Sequence, residues 1–348
     1  IAAMGLDLAA DGEEVLDCAG RTVLPAFVDL HCHWRTPGFE YKEDIATGSA
    51  AAAAGGYTFV NLMPNTKPVC SSADIAHSVM AEAERIGLCA ANQTVSITQN
   101  FDGHTLDHLK TLPEDLKFIT EDGKGVQSGN VMAKAFAIAA QRGLTIMSHA
   151  EDMDISPWDY RLAENIETVR NLHLSEYYGT RLHMCHVSTK EAVEAIGAAK
   201  WKGVPVTCEV TPHHLFLTED AIGDDYNTFL KVNPPLRTAE DAAALVEGVK
   251  DGTVDAIGQK NVTDGTVNFT LCEADGTAYS DYTVSETEPE DTTKYWLCTG
   301  SDPHCLKKYS AATKLWNTIP TTYVMISAAG IGKNLAEGDT VTVSGVLD

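Results

Sequence analysis

The fold of this chain is constrained most strongly by an alternation of short apolar runs with alanine-rich helical patterns, which continues to about residue 258. Short buried strands separated by amphipathic helices indicate parallel βα units. The candidate strands are 27–31, 58–62, 94–98, 117–120, 145–149, 181–186, 204–210 and 255–258. The helical patterns between them include 72–86, 131–141, 163–178, 190–202 and 239–250. This alternation predicts an α/β fold, a (β/α)8 TIM-type barrel over residues 26–258.

The two ends of the chain differ from this pattern. Residues 1–25 are interpreted as a residual N-terminal β-segment, and their opening, which lacks an initiator Met, predicts a sequence that begins part-way along a longer one. Residues 259–348 contain 15 threonines and no arginine. Their β-branched runs and turn signals, without a helical pattern, predict a small C-terminal mostly-β module that is Thr-rich and acidic.

Charge and cysteine usage narrow the function classes. The chain has 25 Lys and Arg against 49 Asp and Glu, a net charge of -24. Such a surface repels phosphate backbones and anionic lipid, so we expect neither nucleic acid nor a membrane as a partner. No apolar run approaches the roughly 20 residues of a membrane-spanning helix. Nine scattered cysteines without a Cys-x-x-Cys pair favour a reducing, cytoplasmic location. The expected partner is a small-molecule substrate.

Two histidines, His31 and His33, end the first predicted strand. Residues two apart in an extended segment face the same side, so both imidazoles are expected to point into the barrel mouth. Paired imidazoles form half of a zinc site, although two histidines at a polar strand end also occur by chance. The pair alone therefore leaves metal binding and a structural role open.

Three further polar side chains, Asp122, His149 and His186, follow later predicted strands. Active-site groups of TIM-type barrels gather at the carboxyl ends of the strands, so we expect these three to meet His31 and His33. One histidine alone is more often a hydrogen-bonded structural residue, but this explanation suits five such groups at four strand ends poorly. Their convergence predicts a metal centre in which a carboxylate among four imidazoles bridges two Zn²⁺ ions.

Three polar side chains near the predicted metal centre are candidates for binding the substrate. Arg35 shares the strand face of His33 and offers a forked guanidinium to a carboxylate. Asn65 follows the second strand, and Asn233 lies in a loop that two prolines restrain. Asn and Arg in loops are ordinarily surface residues, and no spacing rule singles these three out.

Six motifs, in this order, resemble dihydroorotase of the bacterial zinc-dependent branch of the amidohydrolase superfamily. The motifs, each numbered at its first residue, are Leu24-Pro-Ala-Phe-Val-Asp-Leu-His-Cys-His, Gly55-Gly-Tyr-Thr-Phe-Val-Asn-Leu-Met-Pro-Asn-Thr, Ser148-His-Ala-Glu-Asp, Cys185-His-Val-Ser-Thr, Val210-Thr-Pro-His-His-Leu and Val232-Asn-Pro-Pro-Leu-Arg. The resemblance runs from the start to about residue 258, and residues 259–348 are not matched.

The resemblance implies a cytoplasmic enzyme of pyrimidine biosynthesis that reversibly hydrolyses dihydroorotate to N-carbamoyl-aspartate. It implies two zinc ions with these ligands: His31 and His33 on one ion, His149 and His186 on the other, and Asp122 bridging both. Arg35 and Asn65 would hold the substrate carboxylate, and Asn233 would contact the pyrimidine ring. A homo-oligomer is left open.

The bridging ligand has an alternative, and the general base is missing. Some members of the family bridge with a carboxylated lysine, for which Lys117 is the rival to Asp122; the motif Glu-Asp-Gly-Lys-Gly around Asp122 favours the aspartate. After the eighth strand the family continues with an aspartate that binds zinc and acts as general base. Here Gln259 stands near its place, and Asp302 with His304 is the only later Asp–His pair. Loss of this base predicts a rate lower by on the order of 10²–10⁴.

The missing aspartate keeps other functions open. One is a catalytically inactive zinc-binding homologue or a partner-binding protein, and another is an adhesive role of the Thr-rich tail. Dihydropyrimidinase, hydantoinase and allantoinase activities are less favoured, because Arg35 and Asn65 suit a substrate that bears a carboxylate.

Overall fold

A computed structural model describes most of the chain up to residue 257 and parts of the remainder. The described residues are 26–223, 227–257, 272–273, 282–285, 287–293, 295–298, 305–310, 314–318 and 346–347. The predicted segment 1–25, Gln259 and the pair Asp302 and His304 lie outside them. The domain boundaries near residues 25 and 258 therefore stay predictions.

Nine short strands lie between residues 27 and 257. They are β1 Phe27–Cys32, β2 Tyr57–Leu62, β3 Ala90–Gln93, β4 Val95–Ser96, β5 Phe118–Thr120, β6 Thr145–Ser148, β7 Arg181–Met184, β8 Val206–Val210 and β9 Ala256–Ile257. The first three form one sheet in the order β1-β2-β3, and the others form a second in the order β4-β5-β6-β7-β8-β9. Every pairing within these two sheets is parallel. All the carboxyl ends within each sheet therefore lie at one edge.

Seven α-helices separate most of these strands. They are α1 Ile45–Ala54, α2 Ala73–Ile86, α3 Gly129–Arg142, α4 Tyr160–Tyr178, α5 Lys190–Trp201, α6 Pro212–Phe216 and α7 Ala239–Asp251. Each begins at an Asp, Ser or Thr whose side chain accepts a backbone N–H of the first turn. Four of them, α2, α3, α4 and α7, end at a glycine with left-handed backbone. None of the described helices is long and apolar enough to cross a membrane.

Two apolar clusters hold the strands and helices together. The larger packs side chains of β4–β8, such as Ile119 and Leu182, against α3, α5 and α7. The smaller packs β1 and β2 against α1 and α2 around the buried Trp34. Gly48 of α1 makes room for that indole, because a Cβ at 48 would lie 2.3 Å from Trp34 Cδ1.

The α/β class and the parallel strand order predicted from the sequence are confirmed. The run 94–98 is preceded by an additional strand, β3, and Thr94 between β3 and β4 donates its N–H to Leu62 O of β2 at 2.9 Å. Helices α1 and α6 were not among the predicted helices. Among the described residues no strand pairing joins β9 to β1 or β3 to β4, so closure of the barrel stays a prediction.

The described residues beyond 257 contain six strands and no helix, as expected of a mostly-β module. They are β10 Cys272–Glu273, β11 Tyr282–Ser285, β12 Tyr295–Cys298, β13 Cys305–Ser310, β14 Leu315–Thr318 and β15 Val346–Leu347. Strands β11–β14 form a sheet in chain order, in which β11 and β12 are parallel and the other pairs are antiparallel. These strands belong to one compact unit, and β1–β9 with the helices belong to another.

Candidate metal centre

The parallel strands bring five predicted side chains into one pocket. His31 lies in β1 and His33 follows it, whereas Asp122, His149 and His186 follow β5, β6 and β7. Each of the five is at most 3% exposed. Residues that are up to 155 positions apart in the chain therefore meet at the carboxyl ends of four strands.

Asp122 lies at the centre of this group. Its Oδ1 is 3.2 Å from His31 Nε2 and 3.7 Å from His149 Nδ1, and its Oδ2 is 3.6 Å from His33 Nε2. His186 Nε2 lies 2.9 Å from His149 Nδ1, and its ring centroid is 5.2 Å from that of His31. One carboxylate thus faces three imidazoles directly, and the fourth contacts two of these.

The donor atoms suit a metal ion. His31 Nε2 and Asp122 Oδ1 are buried, yet neither has a hydrogen-bond partner. Buried polar atoms without partners are costly, and a cation between them would satisfy both. Ligand atoms of His31, Asp122 and His186 lie within 4.8 Å of one another. Imidazole nitrogen with carboxylate oxygen is the donor set that zinc accepts, so the residues present fit this ion.

The electrostatics of the pocket keep Asp122 ionised. Burial acts to raise the pKa of Asp122, but the neighbouring His31, His33 and His149 hold it well below its usual value. Conversely, burial acts to lower the pKa of His31, and the negative charge of Asp122 raises it well above the usual value. Opposite shifts of this kind indicate strong mutual stabilisation of an anion and imidazole donors.

Glu209 of β8 contacts the second ring nitrogen of His31. Its Oε1 lies 2.9 Å from His31 Nδ1, and its Oε2 lies 3.4 Å from His183 Nε2. Burial acts to raise the pKa of Glu209, but the hydrogen bonds from His183 and His31 lower it to about 2. A carboxylate on the second ring nitrogen fixes the tautomer and orientation of a metal-binding imidazole.

The sequence alone did not predict Glu209 as a residue of this pocket. Ligand atoms of His31, Cys185 and Glu209 form a second group within 4.8 Å. Burial raises the pKa of Cys185 to about 12, so its thiol is neutral. A carboxylate within the otherwise apolar run 204–210 was the signal available for Glu209, because buried strands rarely contain an unpaired charge.

Part of the chain that carries this pocket is similar in sequence to known proteins. Residues 20–186, which include four strand ends of the pocket, match the family described as dihydro-orotase-like. This stretch is therefore similar to the dihydro-orotase-like family.

Two curated relatives extend the dihydro-orotase-like match. A dihydroorotase from Clostridium botulinum is 46% identical over 254 residues, which are 72% of this chain and 62% of the relative. A dihydroorotase from Geobacter sulfurreducens is 42% identical over 275 residues, which are 73% of this chain and 64% of the relative. The chain therefore spans less than two thirds of the length of these relatives.

Several solved structures share the fold of this chain over part of their length. A D-hydantoinase has a TM-score of 0.62 at 24% identity, covering 75% of this chain and 63% of its own. Dihydropyrimidinase from Brevibacillus agri has a TM-score of 0.62 at 23% identity, covering 77% of this chain and 63% of its own. At these identities the likeness concerns the fold alone.

Arg35 and Asn65 lie beside the pocket, next to His33. Asn65 Oδ1 lies 3.0 Å from His33 Nδ1 and accepts a hydrogen bond from Arg35 Nη1 at 3.3 Å. Asn65 Nδ2 donates to Asp122 Oδ2 at 2.7 Å. Burial lowers the pKa of Arg35, although a guanidinium stays charged in proteins. A cation therefore lies at the edge of the pocket in a chain that is strongly acidic overall.

Asn233 is connected to the other side of the pocket indirectly, by a hydrogen bond to Glu151. Its Nδ2 donates to Glu151 Oε2 at 3.0 Å, and the same oxygen lies 3.1 Å from His149 Nε2. Burial acts to raise the pKa of Glu151, but the hydrogen bonds from His149 and Asn233 lower it to about 2. Glu151, two residues after His149, was quoted in a motif but not predicted as a site residue. An open recess of about 190 Å³, also lined by Arg237, adjoins these side chains.

The structure separates the two candidate bridging residues. Lys117 precedes β5 at its amino end, where its carbonyl accepts the N–H of Thr145 at 2.8 Å. Asp122 follows the carboxyl end of the same strand and faces the histidines. The position of Lys117 at the opposite end of the strand favours Asp122 as the bridging residue.

Proposed function

We propose that this chain is a zinc-dependent, dihydroorotase-like cyclic amidohydrolase that interconverts dihydroorotate and N-carbamoyl-aspartate. One observation carries the proposal: four histidines surround Asp122 in a buried pocket beside Arg35. The names of the relatives and the motifs of the pocket support the same activity.

The metal ligands in this proposal are those predicted from the sequence. His31 and His33 would hold one zinc ion, His149 and His186 would hold a second, and Asp122 would serve as a ligand to both. When bound, such ions act as Lewis acids and provide an activated water at neutral pH. Glu209 and Glu151 keep the second nitrogens of His31 and His149 occupied, which directs their other nitrogens towards the ions.

The substrate class follows from the charges around the pocket. A small molecule with one carboxylate and a ring amide matches a forked cation beside an amide, and Arg35 and Asn65 supply this pair. Asn233, held by Glu151, is placed on the opposite side to contact the ring. The proposal therefore favours dihydroorotate over dihydrouracil, hydantoin and allantoin, which carry no carboxylate.

The proposal includes an impaired rate and a cellular setting. Hydrolysis of an amide needs a proton donor for the departing nitrogen, and the aspartate that supplies it in the family is replaced near Gln259. We expect a rate lower by on the order of 10²–10⁴ than with that base present. The proposed setting is pyrimidine biosynthesis in the cytoplasm, with small molecules as partners and neither nucleic acid nor membrane; a homo-oligomer stays a prediction.

The test combines metal content with turnover. The purified full chain is loaded with zinc, its metal is counted by elemental analysis, and opening of dihydroorotate is followed beside dihydrouracil, hydantoin and allantoin. We expect two zinc ions per chain and slow hydrolysis of dihydroorotate alone. Gln259→Asp should raise the rate by on the order of 10²-fold or more, because it restores a carboxylate for proton transfer.

Each outcome separates the functions. A chain that binds two zinc ions but opens no substrate, with or without Gln259→Asp, would identify an inactive zinc-binding homologue. The missing aspartate is the observation that favours this second candidate. A chain that binds no zinc would refute both.

A further inference from the structure

Helix α4 carries two buried carboxylates that have no part in the proposed chemistry. Glu164 is 4% exposed and Glu167 is 1% exposed, and a spacing of three residues places them on one helix face. Buried glutamates are rare unless they are paired or hydrogen-bonded. Their partners are therefore informative.

Glu164 holds the loop that carries His186. Its Oε1 accepts the backbone N–H groups of Ser188 at 2.8 Å and Thr189 at 3.3 Å. Its Oε2 accepts a hydrogen bond from Arg237 Nη2 at 3.0 Å, and Arg237 Nε donates to Ser188 Oγ at 2.9 Å. The carboxylate of Glu164 and the guanidinium of Arg237 therefore both bind Ser188, two residues after His186.

His186 needs such support because of its backbone. Its φ is +37°, in the left-handed region that disfavours any residue with a side chain. Val187 N donates to Glu209 O at 2.9 Å, which fixes the turn from the side of β8. Glu164 fixes it from the side of α4.

Glu167 holds the loops that carry His149 and Asp122. Its Oε2 accepts the N–H of Glu151 at 3.1 Å, and its Oε1 accepts a hydrogen bond from Arg170. The loop after β5 packs against the same carboxylate at Gly125, where an added Cβ would lie 2.7 Å from Glu167 Oε1. One side chain therefore contacts the loops after both β5 and β6.

We propose that Glu164 and Glu167 are positioning residues that hold the loops of Asp122, His149 and His186 on helix α4 and so set the geometry of the metal centre. This inference rests on the proposed metal site but not on turnover. Three of the five metal-binding side chains then depend on one helix that none of them belongs to.

The expected size of the effect follows from the chemistry of a Glu→Gln change. Glutamine keeps the shape of the side chain but replaces one acceptor oxygen by an NH₂ group, which cannot accept from the backbone or from arginine. Loss of outer hydrogen bonds around a metal site typically costs 10–100-fold in metal affinity. We expect a weakening of about this size in the half of the centre nearest each variant.

The experiment measures metal binding in the full chain without reference to activity. Zinc dissociation constants of wild type, Glu164→Gln and Glu167→Gln are measured by competition with a chelator, and the Co²⁺-loaded proteins are compared by visible absorption. Asp241→Asn is the matched control, because Asp241 is a buried carboxylate that accepts the N–H of Lys190 at 2.9 Å and a hydrogen bond from Arg161 at 2.7 Å.

We expect both Gln variants to bind one zinc ion about 10–100-fold more weakly and to shift the Co²⁺ absorption bands, whereas Asp241→Asn changes stability only. Wild-type zinc affinity and Co²⁺ spectra in both Gln variants would overturn the inference and leave a purely structural role. If Glu164→Gln does not fold, Arg237→Lys removes the guanidinium that donates to both Ser188 and Glu164, and it should shift the spectrum less, in the same direction. An unchanged spectrum there would overturn the role of Glu164.

The outcomes for function and for positioning are separate. A wild-type chain that binds zinc without opening dihydroorotate refutes the proposed function, and the comparison of zinc affinities still decides the inference. A wild-type chain that binds no zinc overturns the inference together with the metal centre.

Discussion

The two halves of the candidate metal centre are built in different ways. In the half at β1, His31 and His33 come from one strand, and a spacing of two residues aims both imidazoles to the same side. In the other half, His149 and His186 come from two strands, and each follows the end of its strand. The first half therefore derives its geometry from local backbone, whereas the second depends on how separate loops are held.

The supports of the two halves differ accordingly. Glu209 and Asn65 contact the second ring nitrogens of the β1 pair directly. In the other pair Glu151 contacts His149 in the same way, and the loops of both histidines are in addition held from outside by Glu164 and Glu167 of α4. The comparison teaches that a metal site can combine ligands aligned by strand periodicity with ligands aligned by tertiary contacts.

The largest effect is expected where the two halves meet. Asp122→Asn removes the charge that faces His31, His33 and His149, so it should weaken both halves at once. Zinc content should fall below two per chain, and turnover should fall by roughly 10³-fold or more, since a metal contributes several kcal/mol to such a reaction. Elemental analysis and dihydroorotate hydrolysis check this. Full zinc content in the variant would show that Asp122 does not join the halves.

A smaller effect should be confined to the β1 half. Glu209→Gln replaces the carboxylate 2.9 Å from His31 Nδ1, so one zinc ion should bind about 10–100-fold more weakly while the other is unaffected. Chelator competition on the variant, beside Glu164→Gln, measures which ion is weakened. Equal weakening of both ions by Glu209→Gln would remove the distinction between the halves.

Substrate binding should change without any change in the metal. Arg35→Lys keeps the charge but loses the forked guanidinium that contacts Asn65, and a charged hydrogen bond contributes about 1.5–3 kcal/mol. We expect KM for dihydroorotate to rise by roughly 10-fold or more, with unchanged zinc content. Steady-state kinetics measure the rise; a lowered kcat at constant KM would place Arg35 elsewhere in the mechanism.

The smallest effect on the site is expected from Asp241→Asn, which leaves both halves intact. Burial acts to raise the pKa of Asp241, but hydrogen bonds from Arg161 and Thr238 lower it to about 2. A lowered pKa stabilises the folded state above about pH 4, and this contribution is lost as the pH falls from 4 to 2. The free energy of unfolding of the variant at pH 7 should therefore be lower by about 1–2 kcal/mol. The variant should accordingly unfold at a lower denaturant concentration.

Denaturant unfolding at pH 7, 4 and 3 provides the check. The difference between wild type and Asp241→Asn should shrink as the pH falls towards 3. A difference that stays constant with pH would show that the charge of Asp241 does not contribute to stability.

Much of the β1 half could be predicted from the sequence, because its determinants are local. The spacing of His31 and His33 follows from strand periodicity, and the rule that active sites lie at strand ends brought in Asp122, His149 and His186. The same rule disfavours Lys117, which begins the predicted strand 117–120 and directly precedes β5 in the structure.

The supports could not be predicted in the same way. Glu164 and Glu167 lie within an ordinary helical pattern, and nothing in that pattern shows which loops their side chains reach. Their partners lie up to 73 positions away at Arg237. Closure of the barrel is non-local too, since it depends on pairing between the first and last strands rather than on the βα units that the alternation reveals.

The close approach of Gly125 to Glu167 has a consequence for how this molecule can change over time. A methyl group at 125 would press on a carboxylate oxygen and on the carbonyl of His149, and the local φ of +60° already disfavours any side chain. Drift at these two positions is therefore linked: a shorter residue at 167 relieves part of this crowding, whereas the carbonyl of His149 still opposes a side chain at 125. Such paired substitutions, selected from a randomised library, would trace that contact without a single structure being solved.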